Sequence, residues 1–125
     1  IAYTCIASIG KLAITVRQSI ANQQINSVVT RQGVNNEFVY YALVHLTPWI
    51  KSIPATSTLP IINKTEFSRI EIGIPIDSLE QKAVTDCLSS IDARIDAETH
   101  QLTALKTHKQ GLMQQLFPAP DAATA

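Results

Sequence analysis

IGIPIDSLEQK, residues 72–82, is where this chain changes character. Ile70, Ile72 and Ile74 alternate with other residues, which is strand spacing, and Pro75, with no N–H to give a ladder, ends the run. Asp77 followed three residues later by Glu80 is a capping box, and Ser78 with Gln81 offers a second frame of the same device. No further proline occurs until Pro118. Across that interval Val84, Leu88, Ile91, Ile95, Glu98, Leu102, Leu105, Lys109, Leu112 and Leu116 follow an unbroken alternation of four and three residues. A seam with a period of about 3.5 marks a coiled coil rather than a helix lying on a broad core. A helix from 78 to 117 is about 60 Å long, more than a small domain is wide, and Gly111 costs it only about 1 kcal/mol. One apolar seam on such a helix requires a second helix to cover it. If two copies pair antiparallel with Glu98 opposite Lys109, Leu102 meets Leu105, Ile95 meets Leu112 and Ile91 meets Leu116.

Upstream the pattern is that of strands and one shorter helix. Residues 2–7 and 12–16 are short β-branched and apolar runs joined through Ser8, Ile9, Gly10 and Lys11, and residues 27–30 are a third strand candidate after the turn-prone Asn22–Asn26 segment. Asn35 or Asn36 can cap a helix whose face of Phe38, Tyr41, Ala42, His45 and Leu46 is expected to pack on the strands, with a break or kink at Pro48. The loop from Lys51 to Asn63, with Pro54, Pro60 and the run Thr56, Ser57, Thr58, is longer than mere spacing demands, and a helical turn over Lys64–Phe67 follows. The expected fold class is therefore α+β: a small mixed, β-rich globular domain over 1–76, one long helix over 77–117 forming an antiparallel coiled coil, and a disordered tail over 118–125.

At 125 residues and 46% hydrophobic the chain supports one modest core. Its formal charge is zero, but residues 1–76 hold six Lys/Arg against three Asp/Glu and the remainder four against seven, so the front is mildly basic and the back mildly acidic. Two cysteines, Cys5 and Cys87, form no disulfide framework, and the apolar runs fall short of a membrane span; both point to a cytoplasmic protein. Opening at Ile1 inside a strand pattern, without a methionine, the sequence is expected to be a piece of a longer protein.

Taken in order, IASIGKLAI (6–14), NQQINSVV (22–29), EFVYYAL (37–43), STLPIINKTEFSRIEIGIP (57–75), LEQK (79–82) and LKTHKQGLMQQLF (105–117) resemble the specificity subunit of type I restriction-modification enzymes. The likeness runs from about Thr4 to Pro118 and is specific as a set, while each motif alone is weak. It corresponds to the later part of one target recognition domain and the helix that follows. The resemblance implies a non-catalytic subunit that reads half of a bipartite site in double-stranded DNA, uses its helix as a spacer and docks methyltransferase and restriction subunits. A half-subunit would need a second copy, as a homodimer through the helix, to see a two-part target.

Lys11, Ser57, Lys64 and Thr65 lie in motifs that, by the resemblance, members with different targets share, so they hold phosphates or the fold and not sequence. Arg17, Gln18, Arg31 and Gln32 suit base edges, since Arg pairs with guanine and Gln with adenine in the major groove. Each of these residues has a plainer reading as a solvated side chain. Asn22, Gln23, Gln24 and Asn26 fit a role tying down a turn, and Tyr40, Tyr41 and Trp49 fit the core or a subunit interface.

Catalytic signals are absent. His45, His100 and His108 are scattered, and no Cys or carboxylate set completes a metal site. IGK lacks the earlier glycine and the following Ser/Thr of a phosphate loop. Asp92, Asp96 and Glu98 read as a solvated face. No cofactor is called for. The rival to DNA recognition is a coiled-coil dimerisation module that meets no DNA.

Overall fold

The computed structural model describes residues 1–53 and 61–117. Ser57, Pro54, Pro60 and the tail beyond Phe117 lie outside the described residues. The elements are β1 (Ala2–Thr4), β2 (Leu12–Ala13), β3 (Ile25–Ser27), α1 (Asn36–Ser52), α2 (Lys64–Phe67) and α3 (Ser78–Leu116). By its internal contacts the chain divides into two units, Ile1–Cys87 and Leu88–Ala125. The class is α+β.

In the first unit, β1 is the central strand of a three-stranded sheet ordered β2-β1-β3, antiparallel on both sides. Ala2 registers with Ala13 on one flank and Ser27 on the other. The β1–β2 connection is the IGK turn, and Gly10 at φ 89° fits there because it carries no Cβ: one would stand 2.2 Å from Thr47 Cγ2 of α1. The third strand begins two residues earlier than its sequence pattern, and its pairing runs out at the Ile1–Val28 exchange of hydrogen bonds (Val28 N to Ile1 O, 2.8 Å; Ile1 N to Val28 O, 2.8 Å).

Two clusters form the core. Tyr3, Ile9, Ile50 and Ile62 make one; Ile1, Val39 and Leu43 make the other, and Leu12 and Phe67 pack against both. The expected α1 face is thus corrected. Val39, Leu43, Thr47 and Ile50 are its buried residues, whereas His45 is exposed. Tyr3 explains the choice: its hydroxyl reaches Thr47 Oγ1 at 3.3 Å, and Thr47 donates onward to Leu43 O at 2.7 Å, so a polar residue belongs in the buried stripe. Asn35 caps α1 by accepting from Glu37 N and Phe38 N (2.8 and 3.1 Å). The helix runs through Pro48 to Ser52 without the expected break. Pro48 sits on the exposed side, where water can serve the carbonyl that loses its donor.

Ile70, Ile72 and Ile74 belong to no strand. Ile70 and Ile72 nevertheless pack on the two clusters, so their alternation records burial without a ladder. The turn at α2 has the full capping box: Asn63 accepts from Glu66 N (2.9 Å) and Glu66 Oε2 accepts from Asn63 N (3.2 Å).

Asp77 caps α3 through Leu79 N (2.9 Å). Gln81 and Thr85, one turn apart, are buried in the first unit. In the second unit, residues 88–117 are all exposed except the half-buried Gly111. The apolar seam residues of α3 range from 36% exposed at Leu88 to 70% at Leu116, so the stripe is open among the described residues. Lys82 and Asp86 pair across one turn at 2.7 Å, in solvent, which adds a few tenths of a kcal/mol at most. Among the described residues no helix is long and apolar enough to cross a membrane.

Candidate nucleic-acid interface

The sheet register sorts the candidate contacts into two groups. Because Ala13 and Ser27 both stand opposite Ala2, the chain leaves β2 and β3 at the same end of the sheet. Arg17 and Gln18 follow the first exit, and Arg31 and Gln32 the second; all four are exposed. At the other end, Lys11 is bonded to Thr4 (Thr4 N to Lys11 O, 3.0 Å; Lys11 N to Thr4 Oγ1, 2.9 Å). Ile62 N bonds Cys5 O there (3.0 Å), and Ile61 bridges Ile6, which brings Asn63, Lys64 and Thr65 to that end as well. Lys11, Lys64 and Thr65 are exposed too. The prospective base readers and the prospective phosphate holders thus occupy opposite ends of the sheet.

Among the described residues, none of Lys11, Arg17, Arg31 and Lys64 takes part in an ion pair, leaving their charges available to an anion. Val16 and Ile20 flank Arg17 and Gln18 and are 93% and 103% exposed, an unusual setting for two aliphatic side chains. The Arg31 loop is more tightly built. Val34 N bonds Arg31 O (3.1 Å) to close a turn, with Gly33 at φ 83° and an open space where its Cβ would go.

Sequence reasoning missed what holds that turn. Gln81, read as half of a capping frame with Ser78, is 2% exposed and spends its amide on other backbone groups. Its Oε1 accepts from Asn35 N at 2.7 Å, and its Nε2 donates to Pro75 O at 2.8 Å and Gly33 O at 3.3 Å. A glutamine three residues after a serine fits a cap or a clamp equally well by spacing; the partners decide.

The turn amides behave as the sequence suggests at Asn22, whose Oδ1 accepts from Gln24 N (3.0 Å). Asn26 Nδ2, by contrast, is buried without a partner. Beside it an open groove of about 530 Å³ runs between Ile25–Val29 and Lys64, Phe67, Ser68, Ile70 and Ile72. Trp49 is 55% exposed and so is no core residue. Tyr40 and Tyr41 stack edge to face with centroids 5.3 Å apart. Cys5 is buried and Cys87 exposed, and neither is in a disulfide. Among the described residues no group of His, Cys, Asp or Glu could hold a metal ion.

Among the described residues the first unit is an antiparallel sheet packed with α1 and carries cations in no ion pair, and the second is a helix with an exposed apolar seam. A family model, the type I restriction modification DNA specificity domain, matches residues 1–107, and the chain belongs to that family. Similar relatives include the type I restriction enzyme HindI specificity subunit of Haemophilus influenzae, 35% identical over 60% of this chain and 17% of the relative. The MjaIX specificity subunit of Methanocaldococcus jannaschii is 30% identical over 89% of this chain and 26% of its own length. The MjaVIII specificity subunit of the same organism is 27% identical over 87% and 24%. The chain therefore spans about a quarter or less of the relatives it matches. No solved structure matches it.

Proposed function

We propose that this chain is a DNA-recognition unit of a type I restriction-modification system, binding half of a bipartite target and performing no chemistry itself. The observation that carries the reading is the family match across 1–107, which takes in the head and most of α3 together. Residues 1–76 serve as the reader and 77–117 as the spacer.

Each group of side chains then has a task. Lys11, Lys64 and Thr65, at one end of the sheet, hold phosphates and fix the register on the duplex, with Ser57 assigned the same role. Arg17, Gln18, Arg31 and Gln32, at the other end, read base edges, and the water-exposed Val16 and Ile20 suit contact with thymine methyl groups. The seam of α3 is covered by α3 of a second copy running antiparallel, with Glu98 against Lys109. Two identical readers so arranged demand inverted half-sites. Methyltransferase and restriction subunits dock on this assembly, which works in the cytoplasm.

The test is fluorescence anisotropy of the native assembly with random-sequence duplex DNA across a range of salt. Affinity should fall linearly on a log–log plot, and Lys11→Ala or Lys64→Ala should each reduce the slope by about one. Absence of salt-dependent binding would favour the other reading, a coiled-coil interaction module without DNA, with which the zero net charge agrees.

A further inference from the structure

We infer that Gln81 is a positioning residue that locks the Arg31–Gln32 turn to the start of α3, so that base choice by that turn depends on a side chain that touches no DNA. The inference rests on the DNA-reading role proposed above.

A buried amide is tolerated only when its hydrogen-bonding groups are met, and apolar side chains fill such a site at less risk. Gln81 is buried, and its three bonds reach backbone groups on two separate segments: Gly33 O and Asn35 N on one, Pro75 O on the other. Gly33 and Asn35 are two residues apart, so the side chain bridges an acceptor and a donor of one segment and fixes both its position and its rotation. That segment is the exit of the Arg31–Val34 turn. Its other end is fixed as well, because Asn35 caps α1. Pro75 ties the same amide to the chain entering α3. Arg31 and Gln32 are thus carried on a turn whose place is set by Gln81.

Among the described residues, Arg17 and Gln18 themselves have no comparable tie. The side-chain bond at those two residues is local, Ser19 Oγ to Arg17 O at 3.0 Å, and the tie of Cys5 N to Gln24 O (2.9 Å) lies at the far end of the exposed 15–24 segment. Loss of the Gln81 bonds should therefore blur what Arg31 and Gln32 read and spare what Arg17 and Gln18 read.

Selection of bound sequences from random duplex DNA by the native assembly tests this. The unmodified assembly and the variants Arg31→Ala, Gln81→Met, their combination, and Ile50→Val as a core change away from the clamp are compared. Gln81→Met keeps the bulk and loses the bonds. It should relax, about ten-fold, the same base pairs that Arg31→Ala relaxes, and the double variant should lose no more there than Arg31→Ala alone. If Gln81→Met does not fold, Gln81→Glu, which keeps the acceptor for Asn35 and loses both donors, is judged on the same base pairs. An even weakening at all positions, as Ile50→Val should give, would show a merely structural glutamine and overturn the inference. Failure of the unmodified assembly to enrich any sequence would instead remove the DNA-reading proposal, and the inference with it.

Discussion

Gly10 and Gly33 have nearly the same left-handed φ, 89° and 83°, but different surroundings. An alanine at Gly33 meets nothing within 4 Å and bears only the conformational cost, about 1–2 kcal/mol. At Gly10 the same change also drives a methyl into Thr47 Cγ2, and moving Thr47 disturbs the Tyr3 hydrogen bond. Gly10→Ala should therefore lose at least about 1 kcal/mol more than Gly33→Ala in urea denaturation; equal losses would contradict the packing described. Tyr3 itself gives a pH signature. Burial, opposed by the Thr47 hydrogen bond and aided by Cys5, raises its hydroxyl above the ordinary value of 10.0. The folded state holds the proton more tightly than the unfolded one, so this stabilisation is complete below pH 10.0 and is lost as pH rises toward and through the folded value. Tyr3→Phe should cost about 1 kcal/mol at neutral pH and flatten the alkaline fall in stability. An unchanged alkaline limb would assign that fall to other groups.

Helices were more legible than the faces they bury. The start of α3 at Ser78 and its end near Leu116 follow from caps, prolines and an unbroken seam, which are local signals. In α1 the run from Phe38 to Val44 is apolar or aromatic at every position, so spacing cannot choose a face, and the polar Thr47 argued against the true one. The alternation of Ile70 and Ile72 marks the side that packs on the core, and Ile74 is exposed, but the element is no strand, because a period of two reports sidedness and not pairing. Gln81 could not have been found from spacing, since two of its three partners lie 46 and 48 residues away. The sequence offers the candidate contacts only as a residue list, and the register of β1 divides the strand exits and turns that carry them between two ends of the sheet. On α3 the polar seam positions yield a charge-swap prediction. Glu98→Lys or Lys109→Glu alone should weaken association by about 1 kcal/mol or more, and the double exchange should restore it. Dissociation on dilution, followed by helix content, reads the effect; an indifferent Glu98→Lys would rule out that register.

For the molecule as a whole, the first unit has a two-cluster core and the second is a helix exposed along its length among the described residues, with an apolar stripe from Leu88 to Leu116. A helix of 39 residues draws its stability in water from packing, so the bare stripe is the feature that most needs a second molecule. Sedimentation equilibrium of the chain and of Leu102→Asp measures this directly. An antiparallel pair of α3 helices gives twice the 13.7 kDa chain mass for the unmodified protein and a single chain mass for the variant, whose carboxylates would occupy the central Leu102–Leu105 layers. A 13.7 kDa species for the unmodified chain at every loading concentration would contradict it.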